Sequence, residues 1–156
     1  GQYRIYAEDL LDFLSSRGMR VPDELNELTK YGITKRILIV DDDVNVNKMI
    51  RDYLNRKMPH YEIVQAFDGF EAGRALSEYF PQVVILDIDL PGVNGHSLCK
   101  RIKEDPELND PTIISISGLS NPEERDLILK EGAEAFFSKP VDLEQLHEKI
   151  VAMVEV

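Results

Sequence analysis

Val83-Val84-Ile85-Leu86-Asp87-Ile88-Asp89-Leu90-Pro91-Gly92-Val93-Asn94-Gly95 is the stretch that decides the fold. Four apolar residues run into a carboxylate, a second carboxylate follows two positions later, and a Pro/Gly turn closes the segment. A short unbroken apolar run bounded by turn residues reads as a strand buried on both faces of a parallel sheet. Such a strand has no packing reason to end on charge, so the charged end needs a chemical one.

Outward from this strand the pattern alternates. Strands are expected at Arg36–Val40, Glu62–Ala66, Val83–Leu86, Thr112–Ser117 and Ala135–Ser138. Helices are expected at Asn45–Lys57, Gly69–Tyr79, Gly95–Glu104, Glu123–Glu131 and Asp142–Val154, separated by breakers such as Met58-Pro59, Asp68-Gly69, Asp105-Pro106 and Asn121-Pro122. Strands and helices alternating at this spacing predict an α/β fold, a parallel sheet with helices on both faces. In such sheets the functional crevice lies beyond the carboxyl ends of the strands. The net charge of −11 argues against this segment gripping nucleic acid by itself. No apolar stretch approaches the roughly 20 residues of a membrane span, and no secretory signal pattern opens the chain. Cys99 is the only cysteine, which rules out an internal disulfide or a cysteine-based zinc site. The expected setting is the cytoplasm.

The first strand also ends on acids, Asp41, Asp42 and Asp43. If it neighbours the third strand, both acidic ends open at one edge of the sheet. Like charges about 4 Å apart repel by about 4 kcal/mol at an effective dielectric near 20, a load that a bound cation relieves. Hard carboxylate oxygens, few in number, suit Mg²⁺. The fourth strand brings the Ser117 hydroxyl and Gly118 to the same edge, and the fifth brings the Lys139 ammonium before Pro140. Carboxylates, a cation, a hydroxyl and a lysine at one rim make a site for a phosphoryl group, stabilised by positioning and charge.

Asp41-Asp42, Asp87 with Leu90-Pro91 and Gly95, Ser117-Gly118 and Lys139-Pro140 together resemble the receiver domain of two-component response regulators, from about Lys35 to the end of the chain. The resemblance implies a doubly wound, flavodoxin-like, five-stranded parallel sheet of order 2-1-3-4-5. It implies that Asp87 is the phosphoacceptor, taking phosphate from a sensor histidine kinase or phosphotransfer protein to control an output, with transcription the expected one. Asp42 and Asp87 would be direct Mg²⁺ ligands, Asp89 would lend its backbone carbonyl, and Asp41 would act through water. Ser117, Gly118 and Lys139 would bind the phosphoryl oxygens. Ser117 and Phe136 would form the conformational switch, and the bond before Pro140 would be cis. A homodimer would form through the fourth helix, fifth strand and fifth helix. Such a domain is a phosphoacceptor that promotes its own phosphoryl transfer and dephosphorylation rather than an enzyme. Two departures stand out. Asp89 adds negative charge where many relatives carry a neutral side chain, and is expected to slow phosphoryl gain or change hydrolysis. Phe136 has no hydroxyl, so a switch there works by packing alone.

Plainer readings stand beside these. Asp43 reads as a helix N-cap, Cys99 as a small packed residue, and His60, His96 and His147 as isolated surface residues. Asp87-Ile88-Asp89 also resembles the nucleophile motif of haloacid-dehalogenase-type phosphatases, although those carry it on the first strand and here it falls on the third. A pseudo-receiver that binds partners without phosphate is the third reading. Residues 1–34 are expected to form a helical extension or linker, the end of a truncated DNA-binding domain on one reading, before the domain expected at 35–156. Gly1-Gln2-Tyr3-Arg4-Ile5-Tyr6 with the acidic-start helix at Tyr6–Arg17 resembles the end of an excisionase- or MerR-like winged helix-turn-helix. On that reading the recognition helix lies upstream of Gly1, and DNA contact comes only through a domain missing from this chain. The alternative is a helical extension that packs on the receiver.

Overall fold

The computed structural model describes residues 35–119 and 121–154. The expectations for residues 1–34, including the helix at Tyr6–Arg17 and the winged-helix remnant, lie outside the described residues. The elements run β1 (Lys35–Val40), α1 (Val44–Lys57), β2 (Tyr61–Ala66), α2 (Gly69–Tyr79), β3 (Val83–Asp87), α3 (Gly95–Glu104), β4 (Thr112–Ser117), α4 (Pro122–Lys130), β5 (Ala135–Ser138) and α5 (Leu143–Val154), with a 3₁₀ turn at Pro106–Leu108. They form a five-stranded sheet of order β2-β1-β3-β4-β5. The pairs β1–β3, β3–β4 and β4–β5 are parallel. The alternating pattern predicts the parallel sheet, and the strand order is the one that the receiver resemblance implies.

The apolar runs of β1 and β3 are buried because the sheet is covered on both faces. Leu38, Val40, Val84 and Leu86 face a core completed by Ala72, Ala75 and Leu76 of α2, Leu98, Cys99 and Ile102 of α3, and Ile128 of α4. Ile37, Ile39, Val83 and Ile85 face the opposite core, built with Ile50 and Leu54 of α1 and Leu146 and Ile150 of α5. Alternate residues of one strand therefore serve two cores, and a one-residue slip would exchange them. Full burial of each such side chain is worth about 1.5–3 kcal/mol.

The helices begin where short polar side chains can satisfy free amides. Asp43 caps α1 by accepting from the amides of Asn45 and Val46, and Asp68, Asn94 and Asn121 cap α2, α3 and α4 in the same way. Gly95 opens α3 against the backbone of the preceding loop: a Cβ there would lie 2.4 Å from Ile88 Cα. Only glycine permits that approach, and it draws the loop after β3 tightly across the sheet edge.

Candidate phosphoryl and metal site

The register carries the acids together. The last step of the β1–β3 ladder pairs Val40 with Leu86, so Asp41, just past β1, and Asp87, the last residue of β3, stand side by side at the same level. Ser117 ends β4, and Lys139 directly follows β5, its amide donating to the Ser117 carbonyl at 2.8 Å. Four neighbouring strands thus deliver Asp41, Asp87, Ser117 and Lys139 to one rim.

Asp41, Asp42 and Asp87 each offer a carboxylate oxygen within 4.8 Å of the others. Asp41 and Asp87 are buried and Asp42 is exposed. Lys139 Nζ sits between the buried pair, 2.9 Å from Asp41 Oδ2 and 3.0 Å from Asp87 Oδ2. Asp41 Oδ1 accepts from the Asp43 amide, and Asp87 Oδ1 accepts from the Asp89 amide, each at 2.9 Å.

This compensation is incomplete. Asp41 Oδ2 is buried, and among the described residues it is met by the Lys139 ammonium alone, at 2.9 Å. Burial pushes the Asp41 carboxyl up to about 6, and Asp87 adds repulsion in the same direction, while the Asp43 amide and Lys139 pull it down. For Lys139, burial works to lower the pKa, and the hydrogen bonds and charges of Asp41 and Asp87 outweigh it, so the ammonium is held above its usual range. A buried carboxylate oxygen held by a single ammonium, beside two further carboxylates, leaves room for the oxygen-rich coordination that a hard divalent cation completes with water.

A second set of contacts lies next to the acids. The Ser117 hydroxyl donates to Asp89 Oδ2 at 2.8 Å, and the Gly118 amide points to the same oxygen at 3.3 Å. Ser117 Oγ in turn accepts from the Leu119 amide at 3.0 Å. A Cβ on Gly118 would meet nothing within 4 Å, so this turn opens outward. The Lys139–Pro140 bond is cis, as expected. Phe136 is half-buried against the α2–α4 core and pairs in the ladder with Ser115, while Phe137 packs on the opposite core.

Three features had escaped the sequence reading. Asn47 is buried; its amide donates to the carbonyls of Asp41 and Ala66, each at 3.0 Å, and ties the ends of β1 and β2 to α1. It shares the buried stripe of Ile50 and Leu54, and a polar residue in such a stripe was the available signal. His96 is not an isolated surface residue. Its Nδ1 lies 2.9 Å from Glu131 Oε2 and its Nε2 contacts Glu124, so α3 is bridged to α4. His147 is likewise half-buried, edge-on to Tyr53. Cys99 is packed as expected, and burial raises its thiol to about 11.

Residues 37–151 match the response regulator receiver domain family. The chain belongs to that family. It is 30% identical over 118 residues to the polar-differentiation response regulator DivK of Brucella ovis, covering 76% of this chain and 94% of DivK. It is 28% identical over 119 residues to the DNA-binding dual master transcriptional regulator RpaA of Synechocystis sp., covering 76% of this chain but only 48%, about half, of that protein. Among solved structures it resembles the signal receiver domain of a DNA-binding response regulator protein (merR) from Colwellia psychrerythraea 34H. The TM-score is 0.75 at 33% identity, over 78% of this chain and 99% of that one. A CheY-like receiver domain protein from Methanospirillum hungatei JF-1 aligns with a TM-score of 0.69 at 30% identity, over 78% of this chain and 94% of its own. Phosphorylation and control of an output are the function of this receiver family, whose members work with histidine kinases or phosphotransfer proteins. Among the described residues no helix is long and apolar enough to cross a membrane.

Proposed function

We propose that Asp87 accepts the phosphoryl group, in a site where Asp41, Asp42, Asp87 and the Asp89 backbone carbonyl hold Mg²⁺. The observation that carries this reading is the convergence of Asp41, Asp42 and Asp87 within 4.8 Å, with Lys139 against both buried members. The cation, when bound, neutralises charge on the carboxylates and on the phosphoryl oxygens. An Asp87 carboxylate oxygen attacks phosphorus; the new O–P bond forms as the bond to the donor's leaving atom breaks with its electron pair. Lys139, already 3.0 Å from Asp87 Oδ2, pairs with the incoming charge. The Ser117 hydroxyl and the Gly118 amide follow a phosphoryl oxygen, and Phe136 repacks against the space that Ser117 leaves. Hydrolysis by water returns Asp87 to the carboxylate.

The switch would be read on α4, β5 and α5, where two copies of the chain would pair. Helix α4 suits this role because Ile128 is its one fully buried residue among those described. Residues 1–34 would connect the receiver to an output, and the chain would act in the cytoplasm. A DNA-binding output fits the descriptions of the Synechocystis and Colwellia proteins, and the MerR-like reading of Gly1–Arg17 points the same way.

The test is incubation with a small phosphodonor such as acetyl phosphate and Mg²⁺, followed by intact mass and peptide mapping. One phosphoryl group per chain on the peptide containing Asp87, absent in Asp87→Asn, is the expected result. Equal labelling of Asp87→Asn sinks the assignment. Sustained turnover of a phosphomonoester instead of single labelling would favour the phosphatase reading.

A further inference from the structure

The Asp89 carboxylate takes up two of the groups that the phosphoryl site needs, Ser117 and Gly118. A serine hydroxyl has one proton to donate, and at Ser117 that proton goes to Asp89 Oδ2 at 2.8 Å. The Gly118 amide faces the same oxygen at 3.3 Å. The Asp89 amide is itself fixed on Asp87 Oδ1 at 2.9 Å, so the carboxylate is presented from a backbone anchored at the acceptor. Ser117 Oγ also accepts from the Leu119 amide at 3.0 Å, which ties the start of the β4–α4 turn into the same arrangement. A carboxylate oxygen offers these donors the same kind of charged acceptor that a phosphoryl oxygen offers.

We propose that Asp89 is a positioning residue that acts as an internal competitor, holding Ser117 and Gly118 in a resting arrangement until a phosphoryl oxygen displaces it. This rests on the reading of Asp87 as phosphoacceptor and adds the regulation of that site. The Ser117 proton cannot serve both anions, so phosphorylation exchanges one charge-assisted hydrogen bond for another. The displaced carboxylate then remains beside the new negative charge. Both effects favour the unphosphorylated state, and the first acts chiefly through Ser117, the shorter of the two contacts. A merely electrostatic Asp89 would act without Ser117, and that difference is measurable.

The experiment is a double-mutant cycle in the full chain with Asp89→Asn, Ser117→Ala and the pair. Two quantities are read: beryllofluoride affinity in the presence of Mg²⁺, and the labelling rate from acetyl phosphate. Asp89→Asn is expected to improve both by roughly tenfold in the Ser117 background, the loss of one charged hydrogen bond to a partly exposed group. The improvement should shrink to about twofold or less when Ser117 is alanine. Equal improvement in both backgrounds, or none in the first, overturns the competitor. A readout independent of phosphorylation is amide hydrogen exchange at Gly118 and Leu119 without phosphodonor. It should be several-fold faster in Asp89→Ala, and unchanged exchange overturns the resting arrangement. Failure of the phosphoacceptor reading would appear differently, as wild-type protein that does not label at Asp87 while the exchange difference persists.

Discussion

Two lysines in this domain each sit between two carboxylates, and their surroundings separate structure from function. Lys103 of α3 contacts Asp110 at 2.7 Å and Glu134, and its ammonium donates to the Pro111 carbonyl at 3.1 Å. Lys139 contacts Asp41 and Asp87 at nearly the same distances, 2.9 and 3.0 Å. Both ammonium groups are held above their usual pKa, burial opposing and the carboxylates prevailing. The acids differ. The side chains of Asp110 and Glu134 are 77% and 35% exposed, whereas those of Asp41 and Asp87 are 0% and 2% exposed. Water screens the first set, which simply fastens α3 to the segments around β4 and β5. The second set keeps its repulsion inside the protein, with Lys139 alone against the buried Asp41 Oδ2 among the described residues. The same charges form a screened clamp in one place and a buried, mutually repelling cluster in the other.

The largest way to break this contrast is to remove the buried counter-ion. Lys139→Met in chelator is expected to lose about 3 kcal/mol of unfolding free energy, because two buried carboxylates are left facing each other. Chemical denaturation measures it, and a loss no greater than that of Lys103→Met would erase the distinction. For Lys103→Met the expected loss is about 1 kcal/mol or less, since its acids are already hydrated. The smallest change is Asp110→Asn, expected within about 0.5 kcal/mol of wild type. A loss of several times that amount would show that the outer clamp is not the screened contact its exposure implies.

The fold was legible because each strand carries its own signal. The apolar run at Val83–Leu86 can be satisfied only where both faces are covered, and the structure adds just Asp87 to that strand. Asp43 was legible as a cap because a cap is a local event, decided within three residues. The acids and Lys139 were legible as strand ends once the sheet was parallel. Asn47 was within reach, as a polar residue on an apolar stripe. His96 was not: its partners Glu124 and Glu131 lie 28 and 35 positions away, on a helix whose docking no local pattern fixes. The Asp89 side chain is a similar case. Its charge was visible, but its bond to Ser117, 28 positions on, depends on how the turns after β3 and β4 meet.

The central claim is that the strands end on charge to hold a cation and, with it, a phosphoryl group. Thermal unfolding of wild type and Asp41→Asn, each in chelator and in Mg²⁺, tests it most directly. In chelator Asp41→Asn should be more stable by about 1–3 kcal/mol, because it removes an incompletely compensated buried charge. Mg²⁺ should then raise the Tm of wild type by several degrees and leave the variant nearly unmoved. A wild type more stable than Asp41→Asn without metal, or an equal response of both proteins to Mg²⁺, would contradict the account.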